Sequence, residues 1–308
     1  MTNVFEKRPL VSVVIPAYNH EKFVGPAIDS VLQQSVDDLE LIVVDDGSTD
    51  TTAEVIQSYD DGRISYYYQE NQDAFNTINR GISLARGHFI SILNSDDIYS
   101  LDRLERLLWH QKENHGQCLF TDVIPISDSG KEYTDPEFGW NVWHQKNREV
   151  YFACKDIYQA FLHGNFMVTT SNLFMTADAA KSVGKFCPLR YLHDYDYIFR
   201  MMLKFPENVF YIANEKLLSY RIHGGNTLGE AAVIGREQDQ EVILKYMLAK
   251  LPAEYRNYIE TGGTRLIDLG VELHEVKQLL HPESDLGVRP AVNILKKSIG
   301  RWLGKTFT

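Results

Sequence analysis

Four short runs rich in β-branched and aromatic residues punctuate the first hundred residues, each followed by a helix-length polar segment, and few folds accommodate that order. VSVVIP (Val11 to Pro16) is apolar on both faces, as a strand buried in a parallel sheet must be. A helix is expected over 22–34, a second strand over Leu39 to Asp46, and a second helix over Ser48 to Tyr59, where Ser48, Thr49 and Asp50 can all cap. ISYYYQE gives a third strand, 73–86 a third helix and His88 to Asp97 a fourth strand. Strands alternating with helices imply right-handed crossovers and a parallel sheet, hence an α/β fold.

Past Leu101 the alternation loosens. A helix over 101–113 and a strand over 118–126 follow, then a polar, aromatic, turn-rich stretch from Ser127 to Arg148 that reads as a long loop over a cleft. TTSNLFMT, HDYDYIFRMMLKF and VFYIANEKLLSYRIH read as strand, helix and strand. From about Gly229 the chain reads as helical, broken at Pro252, Gly262-Gly263 and Pro290. The expected division is a main domain over 1–228, with parts at about 9–100 and 101–228, and a helical region over 229–308.

The net charge of −11 excludes general nucleic-acid binding, which needs a basic face. Three scattered cysteines without metal-ligand or redox spacing, Cys118, Cys154 and Cys187, suit a reducing compartment. The start has no apolar signal stretch, and no run reaches the roughly 20 apolar residues of a membrane span. The expected location is the cytoplasm.

Ligands of open α/β sheets bind beyond the carboxyl ends of the strands. Three of the first four strands end in polar sets: Pro16-Ala17-Tyr18-Asn19, Asp45-Asp46-Gly47-Ser48 and Asn94-Ser95-Asp96-Asp97. Either carboxylate pair alone could be a turn and a helix cap. Two pairs lining one pocket would repel each other, and a shared cation or a ligand rich in donors relieves that repulsion.

VSVVIPAYN, VVDDGSTD and NQDAFNTINRGISLARGHFISILNSDD together resemble family 2 glycosyltransferases of the GT-A fold. The resemblance spans residues 11–97, and more loosely 170–223. It implies an inverting transfer of sugar from a nucleoside diphosphate, UDP first among the candidates, to a hydroxyl of a glycan or lipid-linked acceptor in cell-surface polysaccharide synthesis. Pro16, Tyr18, Asn19, Asp46, Asp96 and Arg221 would then bind the nucleotide. Within that set Tyr18 packs on the base, Asp46 accepts from the base edge, Asp96 meets the ribose and Arg221 meets the diphosphate. Asp97 and His223 would hold Mn²⁺ or Mg²⁺, since a hard dication neutralises the departing diphosphate. HDYDYIFR resembles the segment that supplies the family's general base, which assigns that part to Asp194. In the other reading, Asp194 is a helix cap. Asp196 is expected to be structural.

Three positions depart from the usual pattern: Asn94 for Asp, His193 for an acid, and Ile78 for Arg. A sugar-1-phosphate nucleotidyltransferase would need a Gly-rich loop after the first strand, and a dinucleotide oxidoreductase GxGxxG; neither is present. The alternative of another class is a non-catalytic nucleotide-binding or scaffold protein of the same fold. Trp140, Trp143 and Phe166 are candidates to stack on sugar. In the tail, Val292, Ile294, Leu295, Ile299, Trp302 and Leu303 share a helical arc opposite Lys296 and Lys297. That arc suits either an anionic membrane surface or a protein partner, a second subunit included.

Overall fold

The computed structural model describes residues 8–189, 191–224, 242–246 and 249. The chain divides into two compact units, 1–230 and 231–308. All the elements that follow lie in the first unit, and the amphipathic tail arc lies outside the described residues.

Four strands, β1 (Val11–Ala17), β2 (Leu39–Asp45), β3 (Ile64–Tyr68) and β4 (Phe89–Ile92), pair in parallel in the order β3-β2-β1-β4. The crossovers are α1 (Val24–Leu32), α2 (Thr52–Gln57) and α3 (Ala74–Leu84). After β4 come β5 (Ile98–Tyr99), α4 (Arg103–Asn114), β6 (Cys118–Ile126), α5 (Gly139–Cys154) and α6 (Ile157–His163). A 3-10 turn (Thr170–Asn172), β7 (Phe174–Thr176), α7 (Ala177–Val183), α8 (His193–Lys204) and β8 (Val209–Arg221) complete the unit. The eight strands form one sheet, β3-β2-β1-β4-β7-β6-β8-β5. β6 and β8 are parallel, whereas β7 runs against both β4 and β6, and β5 against β8.

The both-face apolar pattern of β1 and β2 is met by helices and neighbouring strands, so Val11, Val13, Ile15, Leu41 and Val43 sit in one core with Ala27, Ile28 and Val31 of α1. Two polar residues interrupt these strands and satisfy each other. Ser12 Oγ donates to Glu40 Oε1 (2.6 Å) and accepts from the Gly87 N–H, while Arg86 binds both oxygens of Glu40. The buried Glu40 is thereby paired at the amino end of the sheet, away from the ligand end. Pro16, which can donate no ladder bond, lies beyond the β1–β4 pairing, which stops at Val14.

Three expectations change. TTSNLFMT, read as one strand, holds the 3-10 turn Thr170–Asn172 before β7. The stretch read as a loop over 127–148 contains most of α5, a 16-residue helix. The fourth strand ends at Ile92, and Asn94 to Asp97 form the turn into β5. Arg103 of α4, fully buried, reaches across to β6 and the 3-10 turn: it donates to Thr121 Oγ1 and to the backbone carbonyls of Ser171 and Asn172.

α3 lies close on β1 because position 81 is glycine: a Cβ there would run into the Val14 side chain. Alanine favours a helix over glycine by about 1 kcal/mol, but here overpacking, costing about 1–3 kcal/mol, opposes it. Gly81→Ala is therefore expected to lower the melting temperature in calorimetry and Gly81→Val to lower it further; a rise with alanine would refute the close-contact account.

Candidate active site

β1 has β2 on one side and β4 on the other, so the chain leaves its carboxyl end at the point where strand order reverses, the usual place for a ligand crevice. Tyr18, 46% exposed, presents an open ring there. Asn19 takes a left-handed backbone (φ 51°), which asparagine tolerates. Its Oδ1 accepts from Thr49 N–H (2.8 Å) and its own N–H donates to Ser48 Oγ (3.0 Å), tying the β1 and β2 loops together. Asp45 is turned into structure, accepting from Ser48 N–H and Tyr66 O–H. Asp46 is buried, and its two hydrogen bonds, from Gln69 Nε2 (2.6 Å) and Gln72 N–H (3.0 Å), both fall on Oδ1. Ile78 of α3 is wholly buried.

The two carboxylates of the NSDD turn face different worlds. Asp97 has no exposed surface: Oδ1 accepts from Arg221 N–H (2.9 Å), and Oδ2 from Ser171 Oγ (2.6 Å) and Thr169 Oγ1 (3.4 Å). Burial, reinforced by Asp96, pushes its carboxyl well above the usual range against those donors. The sequence assigned Asp97 to the cation; here both its oxygens already accept bonds from the protein. Asn94 is likewise structural, its N–H donating to Ser171 Oγ and its amide to Thr169 Oγ1.

Asp96 is the carboxylate that meets other potential ligands. Its Oδ2 lies 3.0 Å from His223 Nε2, and one ligand atom each of His20, Asp96 and His223 fall within 4.8 Å of one another. His20 sits just before α1, its N–H donating to Thr52 Oγ1 and its Nδ1 2.7 Å from Ser95 Oγ. Burial pushes the His20 imidazole below its ordinary value, with Asp96 opposing. Two imidazoles and one carboxylate are a competent donor set for a dication.

Arg221, expected at the diphosphate, is held by main-chain carbonyls here. Its guanidinium donates to the Asp96 carbonyl (2.8 Å) and to the carbonyls of Ser127 (2.9 Å) and Asp128 (2.7 Å), and it lies over the Phe23 ring. Only 3% exposed, it clamps the end of β8 to two loops through Nε and Nη1.

Asp194 stands in the first turn of α8, where a negative charge is favoured by the helix dipole. It is not the cap, a position held by Leu192. Oδ2 accepts from Asn165 Nδ2 (3.1 Å) and Oδ1 from Tyr195 N–H (2.7 Å). Burial pushes its carboxyl up, against the lowering influence of His193 and of those two bonds. Asp196, wholly buried, pairs with Arg200 at 2.7 Å. The loop before the 3-10 turn links this side to the NSDD turn: Asn165 reaches Asp194, Thr170 reaches His193 and Thr169 reaches Asn94.

His20 and Asn165 escape the sequence reading, and Ser95 is read there only as part of a polar strand end. Only the position of His20, next after Asn19 at a strand end, could have marked either of the first two. Among the aromatic candidates, Phe166 is core, Trp140 stacks on His144 and Tyr220, and Trp143 is exposed.

The profile for "Glycosyl transferase family 2" matches residues 12–180. An uncharacterised glycosyltransferase of Rickettsia typhi is 30% identical over 258 residues, 79% of this chain and 73% of its own. The chondroitin synthase of Escherichia coli is 26% identical over 225 residues, 68% of this chain and 33% of its own. Among solved structures, S. aureus TarS (residues 1–349) with UDP-GlcNAc aligns at a TM-score of 0.60 and 19% identity, over 81% of this chain and 70% of that one. The Pyrobaculum calidifontis mannosyltransferase PcManGT with GDP-Man and Mn²⁺ aligns at 0.57 and 14% identity, over 97% and 81%. The likeness in fold, the match over more than half of the sequence and the R. typhi relative agree: the chain is a glycosyltransferase of family 2 with the GT-A architecture.

Proposed function

We propose that this glycosyltransferase moves a sugar from a UDP-linked donor to a hydroxyl of a growing polysaccharide or lipid-linked glycan, with inversion at the anomeric carbon. The observation that carries the reading is Asp194, a buried, doubly held carboxylate in the first turn of α8, tied through residues 165–172 to the turn that carries Asp96. UDP is favoured over other bases by the TarS complex, and polysaccharide by the chondroitin synthase relative.

In this reading the base stacks on the exposed ring of Tyr18, and Asp46 accepts from the base edge through its Oδ2. Pro16 and Asn19 shape the loop against which the nucleoside lies. Asp96 and His223 hold a divalent cation, which when bound neutralises the diphosphate. Asp194 takes the acceptor's hydroxyl proton. The oxygen forms its bond to the anomeric carbon as the bond to the diphosphate oxygen breaks, and the nucleoside diphosphate departs with the electron pair. Burial serves this step, since a carboxyl raised above its ordinary value is a stronger base.

A melting panel of nucleoside diphosphates with Mn²⁺ tests the donor side. UDP should stabilise the protein, and Tyr18→Ala and Asp46→Asn should each remove most of that shift. Stabilisation by GDP alone would overturn the choice of base, and no shift with any nucleotide would overturn the donor site. For the acceptor side, Asp194→Asn should keep nucleotide-induced stabilisation while lowering UDP release from the selected UDP-sugar, in the presence of acceptor glycans, by about 10²-fold or more. Wild-type turnover in that variant would remove Asp194 from the chemistry. The base works only when deprotonated, so kcat/KM should fall as pH drops through a limb lying above the ordinary carboxylate value near 4. Asn165→Ala removes a bond that favours the charged form, and should move that limb to higher pH; an unmoved limb would show that another group sets it.

A further inference from the structure

His20 has no part in the donor site just described, yet it is the third member of the described residues' one cluster able to hold a metal ion. It comes from the β1–α1 loop, Asp96 from the β4–β5 turn and His223 from just past the end of β8, so three separate segments converge on one spot. Such convergence is not a property of any local turn. The His20 and His223 rings lie 5.6 Å apart, nearly perpendicular, and Phe23 packs on both, at 5.8 and 4.9 Å. The Phe23 wall holds the two imidazoles without adding a competing donor.

The position of His20 is fixed by its neighbours. Its N–H is held by Thr52 Oγ1 and its carbonyl accepts from Phe23 and Val24 N–H at the start of α1. Its Nδ1 is engaged by Ser95 Oγ, the residue next to Asp96. With Nδ1 protonated and donating to Ser95, the lone pair resides on Nε2; a hydrogen bond at one ring nitrogen that sets the tautomer of the other is the usual arrangement for an imidazole ligand. The 3.0 Å between His223 Nε2 and Asp96 Oδ2 also suits two donors on one ion, since ligand bonds of about 2.0–2.2 Å at right angles bring their ends to about 3 Å.

We propose that His20 is a third protein ligand of the cation site, joining Asp96 and His223, and that this two-imidazole, one-carboxylate set makes the protein select first-row transition dications such as Mn²⁺ and Co²⁺ over Mg²⁺. The proposal rests on the cation reading of the preceding subsection and goes beyond it in ligand count and in choice of metal. Mg²⁺ keeps an oxygen shell and gives up water reluctantly, so two nitrogen donors offer it little, whereas imidazole affinity rises from Mn²⁺ to Co²⁺. Three protein donors also allow the cation to bind before the nucleotide, where one or two would leave it dependent on the diphosphate. Positions left open on the ion remain for oxygen ligands.

The test uses the full chain carrying ¹⁵N-histidine, with Mn²⁺ alone and then with Mn²⁺ and UDP. Pulsed electron paramagnetic resonance should show two coupled imidazoles in the wild type and one in His20→Gln. Titration followed by the free Mn²⁺ signal should show binding without UDP, weakened about tenfold or more by His20→Gln. Mg²⁺ competition should change much less, so that the Mn²⁺ preference narrows. One coupled imidazole in the wild type, or Mn²⁺ affinity unchanged in His20→Gln, overturns the role of His20 while leaving the Asp96–His223 site standing. Mn²⁺ binding that survives Asp96→Asn undiminished instead overturns the underlying cation reading. The wild-type coupling count needs no variant, so it decides the point even if His20→Gln folds poorly.

Discussion

A fully buried carboxylate, Asp97, ties the parallel part of the sheet to the part built later in sequence. It sits just past β4, yet its donors come from the 3-10 turn and its approach (Ser171, Thr169) and from the end of β8 (Arg221 N–H). An isolated charge at such a depth would cost several kcal/mol, and three convergent donors offset part of that while burial still pushes the carboxyl up. Everything near it follows. Asp96 is turned outward because Asp97 is turned in, and His223 arrives beside Asp96 because β8 is anchored two residues earlier. Arg221 completes the anchor by spreading its guanidinium over three backbone carbonyls. Hydroxyl and amide donors are also rigid and directional, so the lock fixes position as well as depth.

The parallel half was legible because its physics is local. A strand covered on both faces must be apolar throughout, and the ligand end must then carry whatever polar residues the strand excludes. VSVVIP and LELIVVDD follow that rule, and so the switch-point loops, Tyr18, Asn19, Asp46 and Asp96, could be placed by reading alone. Asp196 was also legible as structural, since its spacing to Arg200 is that of a helical ion pair.

The other half was hidden where its contacts are distant or its burial is not hydrophobic. α5 turns Trp140, His144, Asn147 and Tyr151 inward at helical spacing, but a stripe of aromatic and polar groups gives no apolar period to find. Burial forces the His144 imidazole down to about 4, so it packs as a neutral ring stacked on Trp140. Nothing in the pair Asp96-Asp97 says which carboxylate faces inward, because the donor that decides it lies 124 residues away. The contacts of Arg221 were hidden for the same reason: they are main-chain carbonyls, which no side-chain pattern records. Side chains gathered from three segments, as are His20, Asp96 and His223, carry no spacing signature at all.

The long reach of β8 also sets an order in time. Asp96 and His223 are 127 residues apart, so at about 5–20 residues per second a ribosome releases the second on the order of ten seconds after the first. During that interval the nascent parallel half has its strands and crossovers but neither the Arg221 N–H that anchors Asp97 nor the imidazole that meets Asp96. A chain cut short anywhere before β8 therefore carries the switch-point crevice without His223 beside Asp96 and without the Arg221 N–H on Asp97. The crevice is completed only by the last described strand of the unit to emerge.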